Sequence, residues 1–358
     1  MTTLSYFADE SVLPRSTLTE LFFKSVDEHG SRVAFERMVS DTELSGVVYS
    51  EAFSIVKRVA SALGSQGIIR GDRAAILSEN RPEWALADYA CLCTGVIDVP
   101  IYPTLTSSQV AYALKDSGAK LVFASSSEQV VKVLEAVVEC PQEIQIVVFD
   151  SLSEMPAGVL SWEGFLKLGA AASSSAVSDE DFRKSALQAQ PDDVATIIYT
   201  SGTTGDPKGV MLTHNNISSN VQVCSSLLPI VAGADNTISF LPLSHILQRT
   251  ADYLFFRTGC RIGYPRSMPT LIKDMGVIRP TVVVSVPRIY EKIYNNVMGA
   301  SGIKKALINW AAGVADRVAD LRLTGREPSG VLALQYGLAD KLVFSKVKAG
   351  VGGRVRLF

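Results

Sequence analysis

The 358-residue chain sets 34 Lys and Arg against 36 Asp and Glu, a formal net charge of −2, and so lacks the basic footprint that a nucleic-acid partner requires. Its 47% apolar content can bury a large core in roughly two to three folding units, yet no uninterrupted apolar run approaches the roughly 20 residues of a membrane helix. Five scattered cysteines without a Cys-x-x-Cys pair indicate neither a disulfide framework nor a zinc site, and three histidines leave little room for a histidine metal cluster or a serine-hydrolase triad.

Residues 1–10 have no basic region followed by an apolar core, so they do not read as a secretory signal, and a reducing cytoplasm fits the cysteine usage. Apolar spacing over 18–31 predicts an amphipathic helix capped by Thr17, and Val33-Ala34-Phe35 a strand. Residues 50–66 repeat the helical period and stop at Gly67. A buried strand is expected at 74–77, a helix opened by Pro82, and a second strand at 95–100. Helix and strand then alternate over 107–116, 119–124, 128–138 and 144–149, the rhythm of a doubly wound α/β sheet. Between 151 and 192 this rhythm weakens, and Ala170 to Ala176 is a low-complexity stretch. The expected division is therefore a first α/β subdomain over 1–170, a flexible connector over 171–192, and a second α/β subdomain over 193–358. In that second half helices are expected at 215–228, 246–257, 270–278 and 287–297, with strands at 237–241 and 261–264. The chain ends on an apolar run rising from Gly352-Gly353, where a strand would begin.

The segment richest in chemistry is Thr200-Ser201-Gly202-Thr203-Thr204-Gly205-Asp206-Pro207-Lys208-Gly209. Small, hydroxylated and flexible residues surround one cation, which is the composition of a polyphosphate cradle: glycines let the backbone approach an anion, hydroxyls donate, and Lys208 supplies full charge. Ile197-Ile198-Tyr199 enters and Val210-Met211-Leu212 leaves, so the loop should tip a hairpin. Pro207 biases Asp206 away from helical geometry and glycine, not a hydroxyl residue, follows Lys208; both disfavour a strand-to-helix NTPase loop.

From Tyr199 to His214 the sequence resembles the phosphate-loop signature of the adenylate-forming (AMP-binding) superfamily. Leu241-Pro242-Leu243-Ser244-His245, Arg279-Pro280-Thr281 and the run from Val286 to Tyr294 look most like long-chain fatty acyl-CoA synthetases. The stretches from Asp72 to Trp84 and Val99 to Thr104 extend the resemblance over nearly the whole chain. It implies the large N-terminal domain of that fold, two doubly wound α/β subdomains, truncated before the small C-terminal domain. The adenine turn, the magnesium-associated acid, the ribose aspartate and the C-terminal lysine have no counterpart here, so an N-terminal fragment is expected. Implied activity is ATP-dependent conversion of a fatty acid to an acyl-adenylate and then an acyl-CoA. ATP and CoA would be co-substrates, with Mg2+ held mostly by residues outside this chain. A carrier-protein thiol as acceptor, or a non-catalytic nucleotide- or acyl-binding piece, is the alternative. A peripheral membrane contact and the oligomeric state are not readable.

Adenylation needs no general base, because a carboxylate of pKa roughly 4 to 5 is already ionised. The obstacle is charge, which positioned donors and cations must offset. Accordingly Ser201, Thr203 and Thr204, with the amides of Gly202 and Gly205, are assigned to the β- and γ-phosphates, Lys208 to their charge, and Thr200 to supporting the loop. By resemblance His245 lies beside the acyl carboxylate and α-phosphate; the competing reading is a helix start with Ser244 as cap. Arg288 could meet the adenylate or face solvent. Ile289, Tyr290, Ile293, Tyr294 and Val297 recur at helical spacing, the ordinary mark of a buried face, with the wall of an acyl tunnel as the alternative. His214 reads as structural and His29 as surface.

Overall fold

The computed structural model of the protein describes residues 15–173, 177–200, 206–299 and 301–358. Along the chain run α1 (Leu18–His29), β1 (Val33–Met38), β2 (Leu44–Val48), α2 (Tyr49–Ser65), β3 (Arg73–Leu77), α3 (Pro82–Thr94), β4 (Ile97–Ile101), α4 (Ser107–Ser117), β5 (Leu121–Ala124), α5 (Ser127–Val137) and β6 (Gln145–Val148). Then come β7 (Val159–Ser161), α6 (Trp162–Ser173), α7 (Asp179–Ala186), β8 (Val194–Thr200), β9 (Lys208–Thr213), α8 (His214–Leu227), β10 (Asn236–Ile238), α9 (Ile246–Arg257) and β11 (Arg261–Tyr264). The last are α10 (Leu271–Ile278), α11 (Pro287–Met298), α12 (Gly302–Leu323), α13 (Gly330–Ala339), a π-helical turn (Asp340–Phe344) and α14 (Ser345–Gly350). By packing they form two units: Met1–Arg37, Ser45–Ala234 and Ser239–Tyr264 in one, Met38–Leu44, Asp235–Ile238 and Pro265–Phe358 in the other.

In the first unit a seven-stranded sheet has the order β7-β6-β5-β3-β4-β8-β9. All its neighbours pair parallel except β9, which returns antiparallel to β8. Helices cover both faces of such a sheet, so its central strands must be apolar throughout. Ala74 to Leu77 and Leu121 to Ala124 are indeed completely buried. Local signals start the helices where expected: Thr17 and Thr106 close capping boxes, and Pro82 occupies the first turn of α3. β1, though it precedes the main sheet in sequence, pairs parallel with β11 in the register Phe35↔Ile262 and has β2 on its other side.

Residues 171–192, expected as a connector, contain α7, an eight-residue helix with its own capping box at Ser178. Its Phe182 packs on the rings of Phe23 and Phe53 at 6.0 and 5.9 Å. A helix this short, held by one buried aromatic, leaves little period to read. Helix α6 approaches α2 so closely that a Cβ on Gly169 would stand 1.8 Å from the Arg58 carbonyl oxygen; only glycine fits there.

In the second unit Val282 forms parallel bridges to Thr237 and Leu357, so the apolar run at the end of the chain does pair as an extended segment. Asp235 anchors this region by accepting from Thr281 Oγ1 at 2.7 Å and pairing with Arg356. Asp274 accepts from Arg266 and Thr270 in the same way around α10. Helices α12 to α14 were not anticipated from the sequence. α13 has no charged residue and α12 spreads its charges around the helix, so neither shows the one-sided period that identifies a surface helix.

Candidate active site

The hairpin expected around the segment 200–209 is formed at its base. β8 and β9 pair in the register Tyr199↔Gly209 and Thr200↔Lys208, which sets the first hydroxyl residue of the motif directly opposite its cation. Ser201, Gly202, Thr203, Thr204 and Gly205, between these strands, lie outside the described residues. Both Thr200 and Lys208 are exposed, so the lysine charge stands in water where a polyanion can reach it. Gly209 has a packing reason: a Cβ there would come within 2.8 Å of Ile197 Cγ2 and 3.3 Å of the Tyr199 ring. Tyr199 is in turn fixed by donating to Asp116 at 2.6 Å, and Tyr112 of α4 donates to the Pro207 carbonyl at 3.0 Å. Two tyrosines from the β8 and α4 side thus hold both ends of the hairpin base.

This hairpin leaves the sheet at a point where connections diverge. From β4 the chain turns back through α4 to β5, on the far side of β3, whereas from the adjacent β8 it turns away into β9. In open parallel sheets such a divergence at the carboxyl ends of neighbouring strands opens a ligand crevice.

His245 is brought to the start of α9 by a clamped loop. Asn80, which follows β3, donates to the carbonyls of Ser239 (3.2 Å) and Leu241 (2.6 Å) and accepts from the Leu243 amide (2.9 Å). Two sequence segments with little in common on paper therefore form one structure. The helix cap is His245 itself and not Ser244: its Nδ1 accepts from the Leu247 amide at 3.2 Å, while Ser244 is buried. With Nδ1 accepting, the neutral ring carries its proton on Nε2, and that N–H is directed away from the cap in an exposed side chain.

One turn further, Arg249 is 1% exposed and ties α9 to three other elements. It pairs with Asp88 of α3, donates to Asp98 of β4 at 2.7 Å, to Thr196 Oγ1 of β8 at 2.8 Å and to Tyr253 at 2.9 Å. Thr196 passes the chain on to the Asp98 carbonyl at 3.1 Å, its register partner. Burial pushes the carboxyls of Asp88 and Asp98 up, against the pull of the guanidinium between them. The next turn carries Asp252, which burial pushes up to about 7 while Gln248, Ser239 and Tyr264 donate to it. The start of α9, and with it His245, is fixed to the β4–β8 edge by these groups. None was singled out from the sequence. The available signal was two charges inside apolar runs, Asp88 in Ala85 to Cys93 and Asp98 in Ile97 to Ile101; Arg249, between Gln248 and Thr250, carried no such mark.

His214 is structural, as expected. It is 2% exposed, its Nδ1 accepts from the Leu18 amide at 3.2 Å, and burial pushes its imidazole down to about 4. His29 is not a surface residue: its side chain is 9% exposed, set against the Arg257 carbonyl and edge-on to Tyr49. It faces inward because α1 packs on α9 there. For His214 the unfolded ring takes a proton near pH 6.5 and the folded one near 4, so the unfolded state binds more protons between them and stability falls as pH drops through that window. In urea titrations the stability advantage of the wild type over His214→Gln should shrink by up to about 3 kcal/mol from pH 6.5 to 4. A gap independent of pH would contradict the burial argument.

In the second unit Arg288 is exposed on the first turn of α11. The apolar stripe after it does not behave as a closed core face. Ile289 is buried, but Tyr290 and Tyr294 are 45% and 60% exposed, and together with Ile293 and Val297 they line a cavity of about 1100 Å³ bounded also by Tyr336 and Phe344.

Comparison with known proteins bears on this geometry. Residues 22–339 match the family described as AMP-binding enzyme. The chain belongs to the AMP-binding enzyme family. It is 31% identical over 367 residues to the long-chain-fatty-acid–CoA ligase FadD15 of Mycobacterium bovis, covering 99% of this chain and 58% of that protein. It is 33% identical to the peroxisomal long chain acyl-CoA synthetase 6 of Arabidopsis thaliana, covering 93% of this chain and 46% of the relative. The chain thus spans about half the length of these relatives. In fold it is similar to a crystallised long-chain-fatty-acid–CoA ligase (FadD1) from Archaeoglobus fulgidus, with a TM-score of 0.65, 20% identity, and coverage of 80% of this chain and 55% of that one.

Within this AMP-binding family member the mixed α/β architecture with parallel sheets agrees with the expectation drawn from the sequence. Among the described residues no group of three or more His, Cys, Asp or Glu could hold a metal ion, so no Mg2+ ligand is assigned. No described helix is long and apolar enough to cross a membrane.

Proposed function

We propose that this chain is the phosphate- and acid-binding part of a long-chain fatty acid:CoA ligase of the AMP-forming type. The observation that carries this reading is the hairpin leaving the sheet beside β4, whose base sets exposed Lys208 opposite Thr200. In the reaction a fatty carboxylate oxygen attacks the α-phosphorus of ATP, forming the acyl–phosphate bond while the bond to the β-phosphate breaks and pyrophosphate leaves. The CoA thiol then attacks the acyl carbonyl, loses its proton, and AMP departs. Lys208 and the hydroxyls around it suit the charge that collects on the leaving pyrophosphate. His245, with its Nε2 proton available, suits the acyl carboxylate or α-phosphate, and Arg288 the adenylate. Mg2+, when bound, would neutralise phosphate charge. The apolar cavity beside α11, at about 1100 Å³, has room for a long acyl chain, and this supports a long-chain acid over a short one. Free cysteines are consistent with a cytoplasmic setting.

The test is ATP- and fatty-acid-dependent pyrophosphate release, followed by mass detection of the product. A longer chain carrying this sequence should form acyl-CoA, and the 358 residues alone should bind ATP without turnover. An acyl group on a carrier-protein thiol in place of CoA would shift the reading to the rival acceptor. Pyrophosphate release by the 358 residues alone would show that this part suffices for adenylation.

A further inference from the structure

Asp252, in the second turn of α9, is a buried carboxylate that stands apart from the ion pairs of Arg249, which go to Asp88 and Asp98. Its oxygens gather neighbours from both sides of His245 in the sequence. Oδ2 accepts from Ser239 Oγ at 2.8 Å, six residues before the histidine, and Oδ1 accepts from Gln248 Nε2 at 2.7 Å, three residues after it. Tyr264 of β11 adds a third donation at 3.3 Å, and all three donors are buried. Asn80 Nδ2 lies 3.3 Å from the same Ser239 Oγ, so the Asn80 clamp and the carboxylate meet at one hydroxyl. Two oxygens taking three donations suit an ionised carboxylate; an asparagine amide has a single acceptor oxygen. The donors are neutral, and among the described residues no cation pairs with Asp252. Burying a carboxylate in this way costs stability, so packing alone gives no reason for one here.

From this juxtaposition we infer, resting on the role proposed for His245, that Asp252 is a positioning residue for adenylation. By drawing Ser239 and Gln248 to one carboxylate it closes the loop 239–248 around His245, keeps Nδ1 on the Leu247 amide and so presents the Nε2 proton to the acyl carboxylate or α-phosphate. The Arg249 network holds α9 against β4 and β8. Asp252 instead ties the two arms of the loop to each other, and mutation can separate the two effects.

The test reads solvent exchange of the Leu247 amide in the 358-residue chain by heteronuclear NMR, at a pH above the Asp252 value of about 7. Asp252→Ala should speed this exchange about tenfold or more, as expected for the loss of hydrogen bonds to a charged group. The Leu18 amide, which donates to His214, should keep its wild-type rate. Ser239→Ala deletes a single hydroxyl and should act at Leu247 in the same direction, which decides the matter even where Asp252→Ala does not fold. Asp252→Asn, still able to accept from one arm, should recover part of the protection, and Tyr264→Phe, which leaves both arms on the carboxylate, should change nothing at Leu247. Unchanged Leu247 exchange in the alanine variants, an equal acceleration at Leu18, or an acceleration by Tyr264→Phe as large as by Asp252→Ala would overturn the inference. In a longer chain that turns over, Asp252→Ala should slow acyl-adenylate formation about tenfold with the KM for ATP unchanged. Faster Leu247 exchange with an unchanged adenylation rate would overturn the role of His245 in the reaction, and leave its placement by Asp252 standing.

Discussion

Replacing Arg249 by methionine is expected to destabilise the protein by about 3–5 kcal/mol, a large share of the roughly 5–15 kcal/mol that holds a domain folded. The volume is nearly kept, so the loss is electrostatic. Asp88 and Asp98, 1% and 0% exposed, would lose the cation between them, and Thr196 and Tyr253 would lose their donor. With burial pushing both carboxyls up, the variant should recover part of the loss by taking up protons, and its deficit should grow as pH rises. Urea denaturation at several pH values measures both effects. Arg249→Lys should not rescue, because one ammonium cannot reproduce the four directed donations of the guanidinium. The triple variant Asp88→Asn/Asp98→Asn/Arg249→Met should regain most of the stability, since it removes the charges together. A single variant within about 1 kcal/mol of wild type would show that the network is dispensable.

The Arg249 network also explains what the sequence could and could not show. Strands β3, β4 and β5 and their helices were legible because burial on both faces enforces apolar runs, and because Thr17, Pro82 and Thr106 mark helix starts by local chemistry alone. The hairpin was legible for a similar reason: the apolar runs Ile197 to Tyr199 and Val210 to Leu212 flank a Gly/Ser/Thr-rich sequence that Pro207 biases away from helix. Long-range pairing was not. Nothing in β1 announces β11 as its partner more than 200 residues later, and nothing in Asn80 announces the loop at 239–243 that it clamps. The position of His245 could be guessed, but the cap role that orients its ring depends on Ser244 being drawn into the interior. The stripe from Ile289 to Val297 was read by its period as core. Period reports which residues share a face and is silent on whether that face meets packed side chains or a cavity.

Replacing Lys208 by alanine should weaken ATP and pyrophosphate binding without weakening the fold. A charge-assisted bond to phosphate contributes about 1.5–3 kcal/mol, so the dissociation constant should rise roughly 10- to 150-fold. The side chain is exposed at the hairpin base and its backbone pairing with Thr200 does not depend on the ammonium, so the melting temperature should stay where it is. Titration calorimetry with pyrophosphate, alongside a thermal melt, separates the two. Tyr112→Phe provides the contrast: it removes the donor to the Pro207 carbonyl while leaving every cation in place. It should therefore loosen the loop and reduce affinity less than the loss of Lys208 does, with a weaker response to salt. In a longer chain that turns over, Lys208→Ala should slow acyl-adenylate formation in proportion to the lost pyrophosphate affinity, because the charge it offsets is greatest as the leaving group departs. Unchanged pyrophosphate affinity would remove the hairpin from the phosphate site, and with it the observation on which the ligase reading rests.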